Sequence, residues 1–224
     1  MKAIILAAGT GTRIGNQLPK CLMRLPMGNT IMENQVSLLR DNGIKEIIVV
    51  VGFKKDVIME EFPDLIYRYN TFYHITNTSK SLMMALESID EDDIIWINGD
   101  VFLESEVIRR LLSEPGNVMA VNISKCGEEE VKYKTGKNGE IIEISKSVLD
   151  AEGESVGVNK ITAENVGVFY ESLKECDDDD YFEKGVEICI SKGIRFYPVD
   201  ISACKCVEID FKEDYERVKE IAAD

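Results

Sequence analysis

The chain has 224 residues, and its 26 Lys and Arg stand against 41 Asp and Glu, a formal charge of -15 at neutral pH. A field of that sign repels nucleic-acid phosphates and anionic lipid heads, and no Lys/Arg run forms a local basic patch, so neither nucleic acid nor membrane is expected as a partner. The length and the 45% hydrophobic content exclude disorder and suit a single domain over residues 1–224 with a continuous core.

Six scattered Cys and one His lack zinc-site spacing and read as free thiols of a reducing cytoplasm. The apolar run at the start stops after Ala8, too short for a signal peptide, and no stretch approaches the roughly 20 apolar residues of a membrane span. A cytoplasmic protein is expected.

In chain order, Ala3 to Ala7 reads as a buried strand followed by a glycine turn, and Met32, Val36 and Leu39 recur at helical spacing before Gly43. Ile47 to Val51 is a second buried strand. Val57 to Phe62 reads as a helix closed by Pro63, Leu65 to Tyr69 as a strand, Ser81 to Ile89 as a helix, and Ile94 to Ile97 as a strand running into Asn98-Gly99-Asp100. This alternation predicts a mainly parallel central sheet with helices on both faces, an α/β architecture. From about residue 115, strand-like Val118 to Ile123, Val131 to Tyr133 and Ile141 to Ile144, with the turn Lys137-Asn138-Gly139, predict a small antiparallel extension. Val166 to Tyr170 reads as a strand, Tyr181 to Ser191 as a helix, Arg195 to Pro198 and Cys206 to Ile209 as strands, and Glu213 to Ala222 as a closing helix. Asp177 to Asp180 lack calcium-loop spacing and read as a solvated loop before a helix N-terminus.

Chemistry concentrates in three places. Gly9-Thr10-Gly11 after the first strand is by itself a weak phosphate-loop signal, without the third glycine of a dinucleotide fingerprint or the Gly-Lys-Ser/Thr of a Walker loop. With Arg13 and Lys20 close behind, its backbone amides and two cations suit a triphosphate. Asp100 ends a buried strand, where open α/β sheets bind ligands. Glu208-Ile209-Asp210 ends another. Asp210 and Asp100 could share one Mg2+, and Asp210 serves equally as a cap of the following helix.

Leu6-Ala7-Ala8-Gly9-Thr10-Gly11-Thr12-Arg13 with Pro19-Lys20 resembles the signature of the nucleoside-triphosphate transferase (nucleotidyltransferase) family. The resemblance implies a Rossmann-like fold of the nucleotide-diphospho-sugar transferase type, and metal-binding positions at Asp100 and Asp210. Tyr69 to Tyr73 with Asn77-Thr78 and Ser81-Leu82, and Gly153 to Gly157, look like small CTP-dependent cytidylyltransferases acting on phosphocholine, 2-aminoethylphosphonate or inositol phosphate. The compact Ile14 to Leu18 loop departs from many sugar-nucleotide enzymes.

What the resemblance implies is a Mg2+-dependent transfer of CMP from CTP to a phosphate or phosphonate oxygen, with pyrophosphate leaving. Leu6, Ala7, Ala8, Gly9, Thr10 and Gly11 would line the nucleotide, and Arg13 and Lys20 would neutralise its phosphates. Asn77, Thr78 and Ser81 would lie near the base, with Ser81 equally well placed as a helix N-cap. Lys146, Glu154 and Tyr73 are candidates for the acceptor, Glu154 and Tyr73 toward a cationic head. Phe72 reads more as core, and His74 has no role. The alternatives are a sugar-1-phosphate nucleotidyltransferase using UTP, GTP or dTTP, and a non-catalytic nucleotide-binding domain. The sequence is compatible with a homodimer.

Overall fold

The structure, a computed structural model, describes residues 1–11, 18–89, 91–123, 126–127 and 130–222. Its first half runs β1 (Lys2–Ala7), α1 (Ile31–Asp41), β2 (Ile47–Val51), α2 (Lys55–Glu61), β3 (Ile66–Tyr69), α3 (Thr78–Leu86), β4 (Ile94–Asn98), β5 (Val101–Leu103) and α4 (Ser105–Ser113). The second half runs β6 (Asn117–Asn122), β7 (Lys132–Thr135), β8 (Ile141–Ser145), β9 (Gly153–Ile161), α5 (Ala163–Glu175), α6 (Phe182–Ser191), β10 (Phe196–Asp200), β11 (Cys206–Glu208) and α7 (Lys212–Ala222).

The main sheet has the order β10-β6-β9-β4-β1-β2-β3, with β7 and β8 joined through β9. β1 pairs in parallel with β2 and with β4, β2 with β3, and β10 with β6, while β9 is antiparallel to both β4 and β6. Successive side chains of a strand point to opposite faces, and here both faces are buried. Ala3, Ile5, Ala7, Val49, Ile95 and Ile97 enter one core with Met32, Val36 and Leu39 of α1 and Val107, Ile108 and Leu111 of α4. Ile4, Leu6, Val50 and Trp96 enter the other, against α3, α5 and α6. The strands consequently read as continuous apolar runs rather than alternating ones. β5 and β11 form a separate antiparallel pair over a small cluster that includes Phe102, Val207 and Val218. Among the described residues no helix is long and apolar enough to cross a membrane.

The structure corrects three expectations. Val166 to Tyr170 is helical, within α5. Its β-branched and aromatic content imitates a strand over five residues, but Val166, Phe169 and Leu173 follow helical spacing and are buried. The Phe169 ring lies 5.2 Å from that of Trp96. The helix predicted from Ser81 starts at Thr78, and its N-cap is Asn77, whose side chain accepts from Thr78 N, so Ser81 is not the cap. Phe72, expected to pack in the core, is 55% exposed.

Candidate active site

β1 has β2 on one side and β4 on the other, and the chain visits β2 and β3 before crossing back to β4. Such a switch point opens a crevice at the carboxyl ends of the two strands. Gly99 N donates to Leu6 O at 2.9 Å. A Cβ at Gly99 would lie 2.7 Å from that same carbonyl, so the strand ends approach this closely only with glycine there. On the other rim Gly11, at φ +61°, presents its bare Cα side to Lys20, whose Cγ would be 2.9 Å from a Cβ.

A cavity of about 360 Å³ fills the crevice. Leu6, Ala7, Gly9 and Gly11 line it from the β1 side, and Asn98, Gly99 and Asp100 from the end of β4. Lys20 is presented by a short 3-10 turn, Lys20–Leu22. Its Nζ donates to Asp100 Oδ2 at 3.2 Å and also to Asp210 Oδ1. The β5–β11 register brings these distant residues together. Glu208 pairs with Val101, and Ile209 N donates to Asp100 O at 3.0 Å, which sets residues 208–210 beside the end of β4. Asp214 Oδ2 accepts from Asp210 N at 3.0 Å and Phe211 N at 2.7 Å, capping the entry to α7. The Asp210 carboxylate is thereby left to face Lys20 rather than the helix.

Ligand oxygens of Asp100, Glu208 and Asp210 all lie within 4.8 Å of one another. Burial pushes the Asp100 carboxyl up, Lys20 pulls it back down and Asp210 raises it again, with a net upward shift. Glu208 is pushed well above the glutamate range by burial and then by Asp100 and Asp210. Burial lowers Lys20, but the two carboxylates outweigh it and the ammonium is held charged. The three grouped carboxylates, two of them bonded to the Lys20 ammonium, form a set of hard oxygen donors that fits a divalent cation such as Mg2+.

The remaining candidates divide clearly. Asn77 and Thr78 line the cavity from the start of α3, and Lys146 from the end of β8. The acidic loop holds α3 in place: Asn77 N donates to Asp178 O at 2.8 Å, and Thr78 Oγ1 accepts from Phe182 N at 3.0 Å. Ser81 lies outside the lining, buried beneath it, and accepts from Asn70 Nδ2 at 3.0 Å. Ala8 and Thr10 also lie outside the lining, with Ala8 O accepting from Phe53 N at 3.1 Å. Tyr73 packs against Gly52 and meets the exposed His74 edge-on at 5.6 Å, away from the lining. Glu154 is half-buried and outside the lining, whereas its neighbour Ser155 is part of it. Strand alternation turns one toward the cavity and the other away. Arg13 lies outside the described residues.

Sequence reasoning did not select Glu208, Asn98, Ser155 or Glu183, all of which line the cavity. Period-two alternation in Glu208-Ile209-Asp210 was a usable signal for Glu208, because Ile209 is fully buried between two carboxylates that share a face. Glu183 carries no comparable mark, since an acidic residue in the first turn of a helix is ordinary.

Over 99% of its length the chain is 29% identical to the choline-phosphate cytidylyltransferase of Streptococcus pneumoniae, and it covers 98% of that protein. It is 33% identical over 113 residues to the bifunctional protein GlmU of Clostridioides difficile, which is 49% of this chain but 24% of that longer protein. In three dimensions it resembles the inositol-1-phosphate CTP transferase of T. maritima with a TM-score of 0.82 and 18% identity, over 98% of this chain and 95% of the other. Residues 3–138, which contain the glycine turn, Lys20 and Asp100, match the MobA-like NTP transferase domain, and the chain belongs to that family of nucleotidyltransferases.

Proposed function

We propose that the chain is a single-domain cytidylyltransferase that moves CMP from CTP to a small phosphorylated or phosphonate acceptor. The observation that carries the reading is the convergence of Lys20, Asp100, Glu208 and Asp210 at the mouth of the crevice between β1 and β4. End-to-end similarity to a choline-phosphate cytidylyltransferase supports CTP as the donor.

The glycine-rich turn at Gly9 and Gly11 lets the triphosphate approach backbone amides, and Lys20, joined by Arg13, balances its charge. Asn77 and Thr78 at the far wall suit the base, and Lys146 suits the acceptor's phosphorus group. The acceptor oxygen is anionic at neutral pH and attacks the α-phosphorus in line. One P–O bond forms as the bond to the bridging oxygen breaks, and pyrophosphate leaves with that electron pair. No proton need be removed, so positioning and charge neutralisation do the catalytic work in a chain with one exposed histidine. Mg2+ held by Asp100, Glu208 and Asp210 would, when bound, spread the negative charge of the triphosphate.

Mass spectrometry of reactions containing Mg2+, CTP and a panel of phosphocholine, 2-aminoethylphosphonate and inositol phosphate should reveal a CMP-linked product. A nucleotide-linked product only from UTP, GTP or dTTP with a sugar 1-phosphate would replace this reading with its relative, and ligand binding without any product would make the chain a nucleotide-binding domain.

A further inference from the structure

Two side chains in the cavity are not used by the triphosphate. Glu183, in the first turn of α6, is 7% exposed and lines the cavity. Among the described residues no cation lies within ion-pair distance of it. Burial pushes its carboxyl up to about 7, partly offset by its own backbone amide, by Ser155 and by the more distant charge of Lys146. Ser155, on β9, is also 7% exposed, and its Oγ makes no hydrogen bond of normal geometry although Glu183 is near enough to feel it. Glu130 and Glu208 line the same cavity.

A buried carboxylate without an ion-pair partner among the described residues, and beside it a buried hydroxyl that makes no hydrogen bond of good geometry, are both costly in a folded protein unless a ligand completes them. What satisfies both is a cation that donates several hydrogen bonds, which a protonated primary amine does with its three N–H groups. A quaternary ammonium has no N–H to give and is held instead by aromatic faces. The aromatic side chains in the described lining are Tyr181 and Phe211, and the Tyr181 ring already has Lys146 Nζ over it at 4.8 Å from the centroid. Lys146 and Glu183 thus give this end of the cavity a positive and a negative pole.

Resting on the cytidylyltransferase reading, we propose that Glu183 and Ser155 bind the ammonium group of an acceptor that joins a primary amine to a phosphate or phosphonate through a short aliphatic chain, with Glu183 determining specificity. The acceptor is then zwitterionic, and its two ends match the two poles of the pocket.

The test is calorimetric titration of 2-aminoethylphosphonate, ethylphosphonate and phosphocholine into the protein saturated with CDP and Mg2+. A charge-assisted hydrogen bond is worth roughly tenfold or more in affinity, so wild-type protein should bind 2-aminoethylphosphonate at least about tenfold more tightly than ethylphosphonate, with phosphocholine showing no such gain. In Glu183→Gln that ratio should collapse to within about threefold. Ser155→Ala should reduce it by a smaller factor and gives a second reading where the first variant does not fold. Equal binding of the two phosphonates by wild type, or a ratio untouched in both variants, overturns the proposal. Because the readout is a binding ratio, it is separate from turnover. An intact ratio with no pyrophosphate released from CTP would refute the cytidylyltransferase reading and leave the amine site standing.

Discussion

Replacing Lys20 by Met deletes the ammonium that pairs with both Asp100 and Asp210, whose carboxylates lie with that of Glu208 within 4.8 Å of one another. Removing one partner of a fully buried pair costs about 3–5 kcal/mol. Here the side chains are 14% exposed for Lys20, 22% for Asp100 and 33% for Asp210, so water and protonation relieve part of the repulsion. A loss of about 1–3 kcal/mol is the appropriate scale. For a chain of this size that lowers Tm by about 2–12 °C. The distinctive consequence appears when Mg2+ is added. A cation bound at these carboxylates in wild type would compete with Lys20 for the same oxygens, and in the variant that competitor is gone, so the Mg2+-induced rise in Tm should be larger in Lys20→Met. On the proposed function, in which Lys20 balances the triphosphate, turnover should fall by about 100-fold. Thermal scans in EDTA and in a Mg2+ series, paired with pyrophosphate release, read all three effects. A variant with wild-type Tm in EDTA and an identical Mg2+ increment would refute the claim that Lys20 and a divalent cation share one carboxylate cluster.

Gly99→Ala places a Cβ 2.7 Å from Leu6 O, a backbone atom that cannot swing away, and should cost about 1–3 kcal/mol in chemical denaturation together with a marked loss of activity. Phe169→Ala empties a fully buried site between Trp96 and Phe196 and should cost about 3–5 kcal/mol by urea unfolding, which checks that α5 packs as a helix on the sheet. For pH, Glu183 has a raised pKa, so between the ordinary glutamate value and about 7 the native state holds a proton that the unfolded chain has released. Its contribution therefore declines as pH rises through that window. Glu183→Gln should accordingly gain stability relative to wild type between pH 5 and pH 8, about 1–3 kcal/mol in total. A stability difference flat across that range would show that Glu183 titrates normally.

The parts of this molecule legible in the sequence are those whose signals are local. β1, β2 and β4 are runs of apolar residues, mostly aliphatic with Trp96 in β4, buried on both faces, and the glycine turn and Lys20 follow β1 within one short segment. Asp100 was legible because it ends such a run. α5 was not, since Val166 to Tyr170 has strand composition and its helical period shows only when Leu173 is included. β9 was passed over as a strand because Gly153, Ser155 and Gly157 interrupt its apolar pattern, although it is the antiparallel strand that joins β4 to β6. Glu183 and Ser155 were hidden for a different reason. Each is ordinary in its own element, and only the packing of α6 and β9 around one cavity removes water from both. The pairing of residue 100 with residues 208 and 210 likewise depends on the β5–β11 register, which no local pattern encodes.

The most direct test of the central claim is pyrophosphate release by the full chain with CTP, UTP, GTP and dTTP, each against 2-aminoethylphosphonate, phosphocholine, inositol phosphate and sugar 1-phosphates, with Mg2+ and with EDTA. The proposed function predicts release with CTP and a phosphate or phosphonate acceptor, abolished by EDTA and reduced about 100-fold in Asp100→Asn. No release with CTP and any of these acceptors, or equal release in Asp100→Asn, would contradict it.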